Sequence, residues 1–343
     1  MRRLRVLTWH VHGSYLYYLG HAPVDFYVLS RPDRGPGYSG RWGHLPWTDN
    51  IHDMPLAELH GQRFDCVLYQ SHAHYLEDRK LLSAAQQRLP AIFLEHDPPR
   101  EHPVDTRHPV DDPDMLLVHV THFNALMWDN GRTPTRVIPH GVVVPNGVEY
   151  RGTRKRGLVV VNHLARRGRR LGADVYAQAE RRVPLDLVGM GAEESGGLGE
   201  VRHDRLPAFA SEYRFLFNPI RYTSLGLAVC EAMMLGMPIV GLGTTAMARV
   251  VENGVSGYVH TDIDWLIERM EELLADPARA YQLGQGARAY AREHFDIERF
   301  ARDWGNTFDE VCASRSERGL RPSRTDDRVL GLDARHKPSP LEL

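Results

Sequence analysis

Short apolar runs, flanked by polar or turn-forming residues, alternate with longer mixed segments along the first part of the chain. The runs are rich in Val, Leu, Ile, Phe and Tyr, residue types that favour buried strands. The predicted strands lie at 5–10, 25–30, 65–70, 91–96, 115–120 and 136–141. The segments between them, such as 77–89, are helical or irregular. This alternation predicts a parallel sheet with helices on both faces.

A second series of the same kind begins at residue 158. Its predicted strands lie at 158–163, 185–191, 214–219, 238–243 and 257–260, and its predicted helices at 172–182, 224–235 and 263–274. The fold class is therefore α/β, with two doubly wound, Rossmann-like domains. Ligands of open α/β sheets bind beyond the carboxyl ends of the strands, so we expect the site in a central cleft between the two sheets.

The remaining segments divide the chain. Residues 142–157 are rich in Pro, Gly and charge and have no period, which is typical of a linker. Phe300, Trp304 and Phe308 recur every four residues, which predicts a packing stripe on a helix. The predicted units are a first domain at 1–145, a linker at 146–157, a second domain at 158–295, a helix at 296–315 that packs back on the first domain, and a disordered tail at 316–343.

Composition narrows the class of protein. The chain has 343 residues, of which 42% are apolar and 25% charged, as in soluble globular proteins of two domains. A net charge of −2 gives no basic surplus, which disfavours a nucleic-acid binder. Cys66, Cys230 and Cys312 are far apart in sequence, and we interpret them as reduced thiols.

The first residues combine a basic tip with an apolar stretch, so a signal peptide is an alternative there. His10, His12 and Ser14 interrupt the stretch, and no small-residue cleavage site follows. Residues 225–243 are long enough to span a membrane, but they contain Glu231 and a proline, which favours a buried helix and strand. We expect a cytoplasmic protein, with peripheral membrane contact left open.

The stretch YTSLGLAVCEAMMLG places an acid, Glu231, among apolar residues. An ionised carboxylate there costs roughly several kcal/mol unless something binds it. Ser224 is a good N-cap, and the N–H groups of Leu225, Gly226 and Leu227 would favour an anion such as a diphosphate. One turn further along the same face, the carboxylate could accept hydrogen bonds from a ribose diol. An ion pair with an arginine of the other sheet is the alternative, and spacing alone does not decide between them.

The segments NPIRYTSLGLAVCEAMMLGMPIVG and ARVVENGVSGYV resemble the donor-binding half of retaining GT-B glycosyltransferases, in particular glycosyltransferase family 4. The family pattern is an acid, then G-F-G-L, E-A-M-A-x-G-x-P-V-V and V-x-x-G-x-x-G. The matching residues are Gly226, Leu227, Glu231, Ala232, Met233, Gly236, Pro238, Val240, Gly254 and Gly257. The resemblance is close over 158–300 and looser over 1–145.

By this resemblance Glu231 holds the donor ribose, and the amides near Gly226 and Leu227 hold its diphosphate. The family has two glutamates seven residues apart, and the first falls at Thr223 here. A threonine offers a hydroxyl near the donor sugar but no charge. The sugar preference and the activity therefore do not follow from the resemblance alone.

Further segments resemble other parts of the donor site. In VVVNHLARRGRR, His163 stands where the family has an arginine, and Arg167, or else Arg166 or Arg170, replaces the lysine that neutralises the leaving diphosphate. A solvated basic run, or a patch for an anionic membrane or acceptor, is the alternative. Gly189 and Gly191 lie in a strand-end loop beside the nucleotide. They lack the full G-x-G-x-x-G and its downstream acid, which counts against a dehydrogenase.

The base and the sugar have candidate residues as well. In EVRHDRLP, backbone groups of Arg202 and His203 could read the base. In the first domain, Gly13 permits a tight turn at the cleft, where His12 or Ser14 could face the donor or the acceptor. His96 in FLEHDPP resembles the family's strand-end histidine that contacts the transferred sugar, and a structural histidine is the alternative. The spacing in EHDPPREHPVDTRH is irregular, so we expect no metal and no cofactor.

The predicted activity is that of a retaining hexosyltransferase, which moves a sugar from a UDP- or GDP-type donor to a small-molecule, glycan or lipid-linked hydroxyl. Arg167 would stabilise the leaving diphosphate, and His96 would position the sugar. Residues 1–145 would form the acceptor side and 158–295 the nucleotide-sugar side. The alternatives are a GT-B epimerase or phosphorylase, and a non-catalytic nucleotide-sugar-binding protein or partner subunit, which Thr223 keeps open.

Overall fold

The computed structural model describes residues 2–319, and its first sheet has seven strands, all parallel, in the order β3-β2-β1-β4-β5-β6-β7. These strands are β1 (Arg5–Thr8), β2 (Asp25–Ser30), β3 (Ile51–Pro55), β4 (Cys66–Tyr69), β5 (Ala91–Glu95), β6 (Leu116–His119) and β7 (Thr135–Val137). Its central strands β4 and β5 are buried on both faces, which explains their unbroken apolar runs. The order reverses between β1 and β4, so a cleft opens at their carboxyl ends.

Short helices connect these strands. They are α1 (Gly13–Leu19), α2 (His72–Leu76) and α3 (His122–Met127), with 3₁₀ turns at Leu56–Gly61, Asp78–Leu81 and Gln86–Arg88. The predicted helical or irregular segment 77–89 contains only the last two of these turns. The sequence analysis missed β3, because its IHDMP stretch at the edge of the sheet has only two buried apolar residues and no regular alternation.

The second sheet has five parallel strands in the order β12-β11-β10-β8-β9. They are β8 (Arg154–Val160), β9 (Leu185–Val188), β10 (Tyr213–Asn218), β11 (Ile239–Leu242) and β12 (Gly257–His260). Here the order reverses between β8 and β10. The two doubly wound α/β domains predicted from the sequence are therefore confirmed.

The helices of the second half include the longest of the described chain. They are α4 (Leu164–Arg167), α5 (Ala173–Ala179), α6 (Leu206–Ser211), α7 (Leu227–Leu235), α8 (Met247–Val250), α9 (Ile263–Ala275), α10 (Pro277–His294) and α11 (Ile297–Gly319), with 3₁₀ turns at Gly168–Leu171 and Ala192–Ser195. The sequence analysis did not predict α10. It packs closely on the end of α7, since a Cβ at Gly284 would lie 2.0 Å from the carbonyl oxygen of Gly236.

Three predicted boundaries differ from the structure. β8 begins at Arg154, so the last residues of the predicted linker belong to a strand. β7 ends at Val137 and not at 141, because Pro139 follows and has no N–H for a sheet. The N-cap of α7 is Gly226 and not Ser224, since the chain stays extended through Gly226, with φ −70° and ψ 137°.

Helix α11 packs against the first sheet and α1. Phe300, Trp304 and Phe308 are fully buried. The ring of Phe300 lies 5.7 Å from that of Tyr15, and the ring of Phe308 lies 5.8 Å from that of Phe26. We call the first sheet with α1–α3 the first lobe, and the second sheet with α4–α10 the second lobe.

Part of the predicted disordered tail at 316–343 lies outside the described residues. Among residues 2–319, no helix is long and apolar enough to cross a membrane.

Candidate active site between the two lobes

The loops at the carboxyl edge of the first sheet bring two histidines together beside α1. His96 follows β5, and its ring centroid lies 4.5 Å from that of His12, which follows β1. Tyr15 of α1 lies edge-on to His96 at 4.9 Å. Gly13 begins α1 in a tight position, because a Cβ there would lie 3.1 Å from Leu45 and 3.2 Å from a histidine ring. The first lobe thus places Gly13 and His96 at one edge of the cleft.

The hydrogen bonds of Gln70 determine which ring nitrogen of His96 carries the proton. The side-chain amide nitrogen of Gln70 donates to the carbonyl oxygen of Trp9 at 3.2 Å, so its Oε1 is left to accept. His96 Nε2 lies 3.2 Å from that Oε1 and therefore carries the proton. Burial, followed by the charge of His12, lowers the pKa of His96 well below its ordinary value. His96 is thus neutral near pH 7, and its Nδ1 is a hydrogen-bond acceptor.

A buried carboxylate, Glu95, supports the turn that follows β5. Its Oε2 lies 2.9 Å from Nε2 of His72 and 3.2 Å from Nε2 of His108, and its Oε1 accepts the N–H of Asp97 at 2.9 Å. Burial alone would raise the pKa of Glu95, but hydrogen bonds from His108, His72 and Asp97 hold it well below its usual range. The sequence analysis did not identify this cluster, because its members come from the start of α2, the end of β5 and a later loop.

The ligand atoms of His72, Glu95 and His108 all lie within 4.8 Å of one another, which is close enough to surround a metal ion. However, Nδ1 of His108 accepts the N–H of Val110 at 3.1 Å, so the proton of the neutral ring is on Nε2. That proton points to Glu95 and leaves no lone pair there for a metal. The arrangement therefore fits a hydrogen-bonded support better than a metal centre.

At the edge of the second sheet, the turns after β8 and β9 are joined. Asn162 Oδ1 accepts the N–H of Met190 at 2.9 Å, and the N–H of His163 donates to the carbonyl of Met190 at 2.7 Å. Gly189 and Gly191 have φ of 139° and 67°. A Cβ at Gly191 would lie 2.7 Å from Nδ1 of His163. The structure therefore brings His163 and both glycines together, as their placement in two neighbouring strand-end loops predicts.

The basic run after β8 divides into exposed and half-buried arginines. Arg166 is exposed, whereas Arg167 and Arg170 are half-buried. Burial, followed by the charge of Arg170, lowers the pKa of Arg167. Neither Arg167 nor Arg170 forms an ion pair with any residue in the described part of the chain. The charges of Asp97 and Arg100, which follow β5 in the first lobe, act on both arginines.

The loop before α7 is hydrogen-bonded to the backbone of this arginine run. The N-cap of α7, Gly226, has no side-chain cap, so the N–H of Leu227 is free to bind a ligand. The preceding loop is fastened by Arg221, whose Nη2 donates to Asp174 at 2.7 Å, and by the N–H of Tyr222, which donates to the carbonyl of Arg170 at 3.2 Å. The loop that leads to Thr223, Ser224 and Leu225 is thereby anchored to the backbone at Arg170 and to Asp174.

Glu231 binds a tyrosine of the other lobe and no arginine within residues 2–319. Its Oε1 accepts the hydroxyl of Tyr18 at 2.7 Å, and His203 Nε2 lies 3.6 Å from the same oxygen. Its Oε2 has no hydrogen-bond partner in the described structure. The residue lines a cleft together with Val144, Leu206, Ala228 and Ala232. The alternative of an ion pair with an arginine is therefore not found among the described residues, and one carboxylate oxygen is left for a ligand.

The side chains of His203 and His140 make contacts that the sequence analysis did not indicate. The side chain of Arg202 is exposed and pairs with Asp204 at 3.1 Å, whereas the neighbouring His203 reaches Glu231. His140 was not predicted as a site residue. It is buried, its Nε2 donates to the carbonyl of Leu225 at 2.9 Å, and burial lowers its pKa to about 4. It thus ties the segment after β7 to the loop before α7, a contact that no local pattern indicates.

Comparison with known proteins shows which family model and which solved structures this chain resembles. Residues 176–276 match the family model described as glycosyl transferases group 1. A sucrose-phosphate synthase from Thermosynechococcus elongatus is similar in fold, with a TM-score of 0.65, 17% identity, and coverage of 91% of this chain and 100% of that one. HepE from Anabaena, in complex with UDP, has a TM-score of 0.62 and 15% identity, and the coverage is 90% and 100%.

AviGT4, a glycosyltransferase involved in avilamycin A biosynthesis, has a TM-score of 0.61 and 15% identity, with 91% and 98% covered. A comparison with curated proteins finds no match in sequence. The fold is therefore the GT-B architecture of glycosyltransferases, as the sequence analysis predicted. The segment that matches the group 1 domain runs from α5 to the end of α9 and contains α7 with Glu231.

Proposed function

We propose that this chain is a retaining glycosyltransferase of the family 4 type, which transfers a hexose from a nucleotide diphosphate sugar to a hydroxyl group. The observation that carries the proposal is that the second lobe has two half-buried arginines without an ion pair among the described residues, Arg167 and Arg170, and an uncapped helix start at α7. Cleavage of a sugar–phosphate bond builds negative charge on the leaving diphosphate, which needs such groups. The group 1 glycosyltransferase match over 176–276 supports this assignment.

The ribose and the base of the donor would bind other residues of the second lobe. The ribose would bind Oε2 of Glu231, and the base would lie near His203 and the glycines at 189 and 191. We propose UDP as the nucleotide, because a neighbour of similar fold is described in complex with UDP, and also with UDP-glucose. The arginines and backbone amides supply the positive charge, so we propose a reaction that does not depend on a metal.

The sugar would reach from the second lobe to His96 in the first. His96 is neutral and its Nδ1 can accept a hydrogen bond from a sugar hydroxyl. Retention would follow from attack on the same face, with the departing phosphate taking the proton of the acceptor hydroxyl. This route needs no pair of carboxylates, unlike classes of glycoside hydrolysis that use two. The first lobe, at 1–145, would hold the acceptor, and 158–295 the donor.

Thr223 favours one other function. It stands where family 4 has an acid near the donor sugar, so a non-catalytic chain that binds a nucleotide sugar, or a partner subunit, is the second candidate. The two candidates differ in turnover and not in binding.

The deciding experiment measures UDP release from UDP-glucose with a panel of hydroxyl acceptors, and determines the anomeric configuration of any product by NMR. We expect an α-linked product from the α-configured donor. Arg167→Gln should abolish turnover, and Arg166→Gln, which changes an exposed neighbour, should not. Binding of UDP-glucose without turnover on any acceptor would favour the second candidate, and a β-linked product would exclude retention.

A further inference from the structure

Helix α1 of the first lobe contacts both the predicted sugar end and the predicted nucleoside end of the site. Tyr15 and Tyr18 lie three residues apart and face the same side, and both are buried. Tyr15 contacts the rings of His96 at 4.9 Å and His140 at 5.7 Å. Tyr18 instead reaches across the cleft to the second lobe. The helix therefore contacts candidate site residues of both lobes.

Tyr18 forms the hydrogen bond that joins the two lobes at Glu231. Its hydroxyl donates to Oε1 at 2.7 Å, and His203 Nε2 lies 3.4 Å from the same hydroxyl. The ring of His203 also lies 5.6 Å from that of Tyr17. A phenol that bonds a carboxylate in a half-buried place is a charge-assisted contact, which is stronger than one between neutral groups.

The protonation of Tyr18 makes the direction of this bond certain. Burial, followed by the charge of Glu231, raises the pKa of the phenol well above its ordinary value. The hydroxyl therefore keeps its proton and can only donate to Glu231. With Oε1 held in this way, the rotamer of Glu231 is set and Oε2 is directed elsewhere.

We propose that Tyr18 is a positioning residue of the nucleoside site, which holds the Glu231 carboxylate so that Oε2 binds the ribose diol only when the two lobes are together. The inference rests on the proposed function and deepens it. Nucleotide affinity then depends on a residue of the lobe that does not itself bind the nucleotide.

A double-mutant cycle tests the proposal by calorimetric titration with UDP. Tyr18→Phe should lower the affinity about tenfold, as expected for one hydrogen bond to a charged group. Glu231→Gln should lower it by itself, and adding Tyr18→Phe to Glu231→Gln should cost less than threefold more, because the two residues act as one unit. Tyr17→Phe is the matched control. It removes a neighbouring hydroxyl and keeps the ring, and we expect an unchanged affinity.

A structural role alone would give a different result. If Tyr18 only stabilised the fold, Tyr18→Phe would lower the melting temperature and leave UDP affinity unchanged, and this would overturn the inference. Titration with uracil nucleotides lacking the 2′-hydroxyl sharpens the test, since Tyr18→Phe should cost UDP more than deoxy-UDP. Additive losses in the double variant would also overturn it.

The same data separate this inference from the proposed function. If Glu231→Gln leaves UDP affinity unchanged, or the unaltered protein does not bind UDP, the assignment of the nucleoside site fails and the inference fails with it. If Glu231→Gln weakens binding and Tyr18→Phe does not, only the inference fails.

Discussion

The two lobes present opposite chemistry to the same cleft. The first lobe offers neutral histidines, whose pKa values burial lowers, as in His96 and His140. The second offers Arg167 and Arg170, together with the free N–H groups at the start of α7. A donor with a charged diphosphate and an uncharged sugar would bind across such a cleft in one orientation only. Under the proposed function, charge recognition and hydroxyl recognition would be separated between the sheets.

The largest expected effect tests the charged lobe. Arg167→Gln combined with Arg170→Gln should lower UDP affinity by about a hundredfold or more, since two charge-assisted contacts to the diphosphate are lost. Uridine, which has no phosphate, should bind both proteins equally. Calorimetric titration with the two ligands measures the difference. Equal losses for uridine and UDP would mean that the arginines support the fold and not the phosphate.

The next effect concerns the boundary between the lobes. Glu231→Ala should weaken UDP binding about thirtyfold, because two hydrogen bonds from the ribose lose their charged acceptor. The competing effect on stability can be followed by thermal unfolding without ligand. An unchanged UDP affinity would contradict the role of Glu231.

Lowering the pH should reduce the stability that the neutral His140 of the first lobe supplies. The pKa of His140 is lowered to about 4 in the folded protein, against an ordinary value of 6.5, so the unfolded chain takes up the proton first as the pH falls. The stability that the neutral ring supplies is complete above about pH 6.5 and is lost toward pH 4. From pH 7 to pH 5 this amounts to roughly 2 kcal/mol.

His140→Gln provides the matched comparison, because it keeps a donor for the carbonyl of Leu225 and cannot titrate. Urea unfolding at pH 7 and pH 5 should show a smaller loss of unfolding free energy for the variant than for the unaltered protein. An equal loss in both proteins would remove His140 from this explanation.

The smallest effect tests the sugar end of the first lobe. His96→Phe should lower kcat with a UDP-sugar about tenfold and leave UDP affinity unchanged, because the imidazole contacts the sugar alone. Steady-state kinetics and titration with UDP give the two numbers. A loss of UDP affinity would place His96 at the diphosphate and weaken the division between the lobes.

Local patterns predicted much of this fold because strands and helices follow from neighbouring residues. The segment 257–260 is a strand with the bounds that its apolar run predicts. Helix α10 was missed although Asp276 caps it, Pro277 begins it and its buried residues recur at helical spacing, because two glycines and many polar residues interrupt the pattern. The close packing of Gly284 on Gly236 explains why a glycine stands inside the helix. The early N-cap at Ser224 failed for a related reason, because the loop held by Arg221 and Asp174 keeps the chain extended.

Some arrangements in the candidate site could likewise be predicted from neighbouring residues, and others could not. Gly226 and Glu231 lie on one segment, so their spacing along a helix could be predicted from the sequence. His72 begins α2, Glu95 ends β5 and His108 lies in a later loop, so their common hydrogen bonds could not be predicted.

The sequence by itself determined the alternation of strands and helices, the two-domain α/β class and the helix that carries Glu231, because these depend on residues close together in the chain. Only the tertiary structure decided which groups meet in the cleft. Tyr18 and Glu231 are 213 residues apart, and His140 and Leu225 are 85 apart. Such contacts are set by the packing of one lobe against the other, a property that no short stretch of sequence contains.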